Sequence, residues 1–455
     1  MRRVLPELLS VVGSCLVLWT GVAVADAPSA RSAWHVPPEG ACLHHPPLGQ
    51  PVDVDVDSNL PLPGEVIEVE QATRLAPFLP PELWEHRDRF LYPGMQMQIG
   101  PCYRDYGPPE FYRQATARLA GEVRLSPGGK LEGYRAGMPF PPQTIGPDDP
   151  RAALKWAWNW VFRYRGAGSF GSDRISIVSP NGTAASWVGS SFEVRLAGRA
   201  DRPADGYRQP SRSTGAWASG GRLESEQTGH VCIFREYESG GRLPEFFVGS
   251  SYSHRMRRMP APDSEGPLKG CLVDAAIGAG LFVHGGEPAL HHWKIRGVVD
   301  LFAPINSQKP TYPQEKHRDF GPWGISFASD RWELRRVIVL EGRLKEGSFE
   351  DRTQHFVWYL DLQTLTPLYY AAYRRNGASA GVGYFVHRWS EDRRDYPHWP
   401  DDPERPVRVL DGIGEAFVDW NDQYAVRWEY GDALSVPPTD RKLTRMMSLS
   451  GIHIR

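Results

Sequence analysis

Cysteine is scarce, with five in 455 residues, and no two stand at C-x-x-C spacing, so the ligand pairs of a zinc ribbon or a thioredoxin-type redox centre are missing. Charge of one sign is missing too. Lys plus Arg number 52 against 54 Asp plus Glu, a formal −2, which excludes a general nucleic-acid footprint. Beyond the N-terminus no run approaches the roughly 20 apolar residues that a membrane-spanning helix needs. The best stretch, CLVDAAIGAGLFVHGG, is short and is broken by Asp274 and several glycines. The known catalytic motifs are also missing in working form. Gly377-Ala378-Ser379-Ala380-Gly381 spells a nucleophile elbow, but the strand-like GVGYFVHRW follows where that motif needs a helix, and a hairpin turn is expected. Gly166-Ala167-Gly168-Ser169-Phe170-Gly171 spells a dinucleotide fingerprint, yet RISIVSP follows, again a strand. Asp53, Asp55 and Asp57 lack the glycine and glutamate of a calcium loop and read as an edge strand. His44-His45 and His291-His292 are adjacent pairs, whose side chains diverge on a strand or a helix. No cofactor and no metal are expected.

What is abundant is aromatic. Rings make up 11% of the chain, with 16 Trp, beside 46 Gly and 41 Pro. Large β-favouring side chains with many turn residues predict a sheet-rich protein. At the N-terminus, Arg2 and Arg3 precede VVGSCLVLWTGVAVA, which ends in Ala23-Val24-Ala25. This predicts a secretory signal peptide over residues 1–25, with Asp26 as the mature start. Val12-Gly13-Ser14-Cys15 resembles a lipoprotein processing site, but the apolar run continues past it. The exported chain would keep Cys42, Cys102, Cys232 and Cys271. Sequence order favours Cys42–Cys102 and Cys232–Cys271 among the three pairings, with free buried thiols as the alternative.

Residues 26–107 are rich in proline without periodicity and read as an arm or irregular layer. FYRQATARLAG predicts a helix with Phe111, Ala115 and Leu119 on its inner face. In KWAWNWVFRYRG, residues 155–166, five aromatics fall on every second residue: Trp156, Trp158, Trp160, Phe162 and Tyr164. Asp149 and Pro150 predict a helix start, so the expectation is a helix over 150–158 that turns to strand before Gly166. Each ring hides roughly 150–250 Å². The aromatic side must therefore be covered, while Lys155, Asn159, Arg163 and Arg165 suit solvent or a rim. Beyond it, RISIVSP, SFEVRLAG, HVCIFREY and EFFVGSSYSHRM read as short strands. RWELRRVIVLEGR, a hairpin about Asp361-Leu362-Gln363-Thr364, then YFVHRWS, EAFVDW and YAVRWEY complete an antiparallel meander.

RWELRRVIVLEG followed by FVWYLDLQTLTPLYYAAYRRNG resembles the C-terminal signature of an exported bacterial family of unknown function, usually labelled outer-membrane lipoprotein-sorting protein. Upstream, FYRQATARLAGEVRLSPGGKLEGYRAGMPFP and DPRAALKWAWN resemble its N-terminal blocks, so the likeness covers about residues 108–430 and is weak between about 200 and 310. The resemblance implies a fold similar to the LolA/LolB-type periplasmic lipoprotein carriers. That fold is mainly β (α+β), a large curved antiparallel sheet forming an unclosed barrel, with a few helices plugging its concave side. The half-barrel domain would span residues 108–455. The resemblance further implies a periplasmic, non-enzymatic carrier of a lipid or other hydrophobic small molecule, working near an inner-membrane hydrophobe exporter and the outer membrane. The expected ligand-lining residues are Trp156, Trp160, Tyr164, Trp332, Leu334 and Ile338. Two other readings stay open: an exported interaction module with a solid aromatic core, and a carbohydrate-active or hydrolytic enzyme.

Overall fold

Alternating apolar and polar side chains set most of this chain into strands, and the strands pair largely with their sequence neighbours. The computed structural model describes residues 35–42, 60–166, 168–179, 182–195, 200–201, 216–224, 229–237, 245–250, 255–259, 288–307, 330–345, 355–374, 376–399, 402, 404, 406–419 and 424–430. β1 (Val66–Glu68) and β2 (Gln96–Ile99) precede the small hairpin of β3 (Arg124–Leu125) and β4 (Leu131–Glu132). The long strands follow: β5 (Gly168–Ser179), β6 (Gly182–Arg195), β7 (Ala216–Glu224), β8 (Gly229–Tyr237), β9 (Glu245–Ser250) and β10 (Arg255–Met259). The second series is β11 (His291–Ala303), β12 (Asp330–Leu344), β13 (His355–Asp361), β14 (Pro367–Tyr373), β15 (Ser379–Trp389), β16 (Leu410–Asp419) and β17 (Tyr424–Tyr430). Among them lie the helices α1 (Pro81–Glu85), α2 (Glu110–Leu119) and α3 (Ala152–Val161).

Fifteen of these strands form one sheet in the order β1-β2-β12-β13-β14-β15-β16-β17-β5-β6-β7-β8-β9-β10, with β11 also paired to β12. The pairs are antiparallel except β2 with β12, which run parallel from Asp330 to Trp332. β17 closes onto β5, so the C-terminal meander and the first long hairpin become one surface. β1 and β10 lie at opposite ends of the order, and the sheet is unclosed. The expected architecture, mainly β with one large open antiparallel sheet and few helices, is the observed one.

Both faces of the C-terminal meander are covered. On one face, Ile67, Leu75, Phe78, Leu83 and Phe90 pack against Val357, Tyr369, Ala371, Val382, Tyr384 and Val386. Residues 60–106, expected within a proline-rich arm or irregular layer, thus supply two strands, α1 and much of the main core. Cys42–Cys102 is a disulfide, as sequence order favoured, and it fastens residue 42 to this layer. Cys271, Asp53, Asp55, Asp57 and His44-His45 lie outside the described residues.

The opposite face carries α3. Asp149 accepts the Arg151 N–H at 2.8 Å and the Lys155 ammonium at 2.6 Å, but it does not cap the helix as expected: Pro150 and Arg151 still lie in a turn, and the helix begins at Ala152. The aromatic ribbon, however, does not turn to strand after Trp158. The helix runs on to Val161, and β5 begins only at Gly168. Trp156, Ala157, Trp158, Asn159, Trp160 and Val161 are buried in succession, the signature of a helix enclosed on all sides. The side expected to meet solvent is also enclosed in part. Asn159 is buried and clasps the Phe140 backbone, donating to its carbonyl at 2.5 Å and accepting its N–H at 2.8 Å. Arg163 is buried as well and donates to the Trp160 carbonyl.

Candidate functional site

Strand register builds a row of rings on the α3 face of the sheet. Trp358 on β13 lies opposite Tyr370 on β14, which lies opposite Gly383 on β15, which lies opposite Phe417 on β16. Trp358 stacks on Tyr370 at 5.1 Å and 22°. Tyr370 stacks on Phe417 at 5.2 Å and 5°, reaching across β15 because Gly383 presents no side chain there. A Cβ at Gly383 would lie 2.5 Å from Tyr370 Cε1. Phe385 joins the group at 5.4 Å from Tyr370. From α3, Trp160 extends the row, 4.7 Å from Trp358 and 6.3 Å from Trp293 on β11. These spacings fall within the favourable range for aromatic pairs, each adding about 0.5–1.5 kcal/mol beyond burial.

Two titratable groups stand in this apolar wall. Glu415 shares the alternation of Phe417, lies opposite Phe385 on β15 and Trp428 on β17, and is 8% exposed. Its Oε1 accepts the Tyr370 hydroxyl at 3.0 Å. Burial pushes its carboxyl up to about 7, and the Tyr370 bond only partly offsets that. His387, two residues beyond Phe385, is pushed down to about 3 by burial and by the nearby Arg163 guanidinium, and stays neutral. The strand pattern EAFVDW held a signal for Glu415, since an acid in phase with an aromatic on a two-sided strand shares its buried face. His387 carries a similar signal, since it stands two residues from Phe385 in YFVHRW.

The six residues expected to line a ligand site are not gathered in one place. Trp156 and Trp160 lie on α3, 0% and 1% exposed. Of the six, Trp160 enters the aromatic row. Tyr164 follows the helix and packs on Phe111 at 5.8 Å and Tyr112 at 5.5 Å. There it borders a small surface recess with Tyr106, Tyr112, Met138 and Arg408. Trp332 and Leu334 belong to the main core under residues 60–106. Ile338 is buried between Val298 on β11 and Leu360 on β13.

The signature residues around them form a buried ionic latch. Arg335 donates to Asp361 at 2.8 Å, to the Arg104 carbonyl at 2.6 Å and to Gln363 at 3.1 Å. Glu333 accepts the Tyr106 hydroxyl at 2.7 Å, and Arg336 pairs with Asp300 opposite it at 3.0 Å. Asp361 also accepts the Thr364 N–H and hydroxyl, closing the expected hairpin turn. Residues 104–106 are thereby pinned across the sheet. The role of these charges is positional, because each faces its partner inside the protein.

Three of the rejected motifs fall on described strands. Ser379 begins β15 after a turn with Gly377 at φ 82°, and Gly168 begins a strand rather than a helix. His291 is buried while His292 is exposed, their side chains diverging along β11. Among the described residues no group of His, Cys, Asp and Glu is placed to hold a metal ion, and no helix is long and apolar enough to cross a membrane.

Comparison with known proteins adds the following. The chain is 26% identical to the uncharacterized protein PA3922 of Pseudomonas aeruginosa over 260 residues, 55% of this chain and 54% of that protein. It thus spans about half the length of the curated relative it matches. It is similar in structure to a putative outer membrane lipoprotein-sorting protein domain from Vibrio parahaemolyticus, at 12% identity and TM-score 0.40, covering 65% of this chain and 97% of the other. It is also similar to a DUF1329 family protein from Desulfovibrio piger, at 8% identity and TM-score 0.39, covering 62% and 92%. The description "protein of unknown function (DUF1329)" matches residues 67–388, from β1 into β15 and through the latch and most of the aromatic row, and the chain belongs to that family.

Proposed function

We propose that this chain is a periplasmic, non-enzymatic carrier or accessory protein that holds a lipid or another hydrophobic molecule against the aromatic face of its sheet. It would act between an inner-membrane hydrophobe exporter and the outer membrane. The observation that carries the reading is the stacked row Trp358, Tyr370 and Phe417, kept continuous by Gly383 and running toward the partly exposed Trp428. A flat wall of rings in a dry setting suits an acyl chain or a polycyclic skeleton, which needs area and few polar partners. The signal-like N-terminus and the resemblance to an exported family support the compartment.

A second reading, an exported interaction module with a solid core, has its own support in the complete burial of Trp156 and Trp160. The two part in a binding experiment with the uncharged fluorophore 1-N-phenylnaphthylamine. A carrier binds it saturably, and Trp428→Ala weakens that binding several-fold with little change in melting temperature. A solid core gives no saturable binding in either protein.

A further inference from the structure

Glu415 is the unusual group in the aromatic row. Its neighbours across the ladder are Phe385 and Trp428, and Phe417 lies two residues along the same face. Among the described residues the hydrogen-bond donor to the carboxylate is the Tyr370 hydroxyl. The buried carboxylates of the opposite face are treated otherwise. Glu429 has Arg427 at 3.0 Å, and Glu341 has Arg296 and Arg343 at 2.8 Å. Glu415 has rings where those have guanidinium groups.

A buried carboxylate set among aromatic side chains is an arrangement that attracts an organic cation. The ring faces carry negative potential, and a desolvated cation over them gains about 2 kcal/mol or more. A strongly hydrated inorganic ion would lose its water without enough oxygen ligands in return. An alkylated ammonium, with a small hydration penalty and apolar surface of its own, fits the same walls.

We propose that Tyr370, Phe385, Phe417, Trp428 and Glu415 receive the cationic head of an amphiphile, an alkylammonium or quaternary ammonium group, whose chain lies along the row toward Trp358 and Trp160. This deepens the carrier reading and rests on it. With no cation present, the carboxyl is about half protonated at neutral pH and largely protonated a unit below it, so burial is tolerated. An arriving cation favours the ionised form. The titratable and charged groups that bear on the site are Glu415 itself, the Tyr370 phenol and, beyond Phe385, the neutral His387 with the Arg163 guanidinium near it, and burial sets the acid near 7.

The test compares dodecyltrimethylammonium with 1-dodecanol, each below its aggregation concentration, by calorimetric titration of the full chain at pH 6 and pH 8. For the cation, affinity should rise about tenfold between the two pH values, following ionisation of a group near 7. For the alcohol it should not rise. Glu415→Gln keeps an acceptor for Tyr370, and it should abolish the rise and leave alcohol binding in place. If both probes bind with the same pH profile in the wild-type chain, the cation site is refuted and the carrier reading stands. If neither binds, both fall. The wild-type comparison decides the matter even if the variant fails to fold.

Discussion

Tyr370 and Phe417 lie face to face at 5.2 Å, within 5° of parallel, although a whole strand separates the strands that carry them. Gly383 makes the contact possible. A methyl group there would sit 2.5 Å from Tyr370 Cε1 and 2.7 Å from the Ala416 carbonyl oxygen. Gly383→Ala should therefore lower stability by about 1–3 kcal/mol, read from the urea midpoint at unchanged slope. A loss under about 0.5 kcal/mol would mean that the rings move apart freely and that their stacking is incidental.

Arg335 and Asp361 are each 1% exposed and meet at 2.8 Å. Removing one partner strands the other as an uncompensated buried charge, so Arg335→Met and Asp361→Leu should each cost about 3–5 kcal/mol. The double variant should cost clearly less than the sum of the two. Additive losses would deny that the pair acts as a unit.

Much of this fold was readable from the strand pattern. The strands between Trp332 and Tyr430 read as β-branched and aromatic runs bounded by turn residues, and Asp361 with Thr364 announced one of the turns. The aromatic ribbon was not readable in the same way. Residues spaced by two satisfy a strand, and Trp156 and Trp160 satisfy a helix as well. Burial on every side of α3 removes the polar face that would have told them apart. Asn159 and Arg163 misled for a related reason, since their polar atoms are spent on backbone partners rather than on water. Residues 60–106 lack periodicity because short 3₁₀ turns and proline place their apolar side chains one at a time. The pairing of Glu415 with Tyr370 depends on register between distant strands, which no local pattern encodes.

Glu415 also leaves a mark on stability. Its carboxyl titrates near 7 in the folded chain and near 4.5 in the unfolded one. Between those values the folded chain holds more protons at this site, so its contribution to stability falls as pH rises through the window. Glu415→Gln should accordingly be more stable than the wild type at pH 8, by roughly 2–3 kcal/mol, with the gap closing toward pH 4.5. Urea titrations across that range would show it. A constant difference at all pH values would place the acid in contact with water.

The Cys42–Cys102 disulfide spans 60 residues of sequence. Chain-entropy reasoning assigns such a loop about 4 kcal/mol. Replacing both cysteines by serine should lower the melting temperature markedly and leave binding to the aromatic row unaltered, because neither cysteine lies on that face. A variant that keeps its stability but loses probe binding would contradict the division of the two faces.

The most direct measurement is native mass spectrometry of the full chain isolated, without detergent, from the organism that makes it. A carrier should fly with bound hydrophobic mass that is released on denaturation and is diminished in a Trp428→Ala, Glu415→Gln variant of equal fold. A chain that flies only at its bare mass, and takes up no lipid when offered the extracted membrane fraction, would contradict the account.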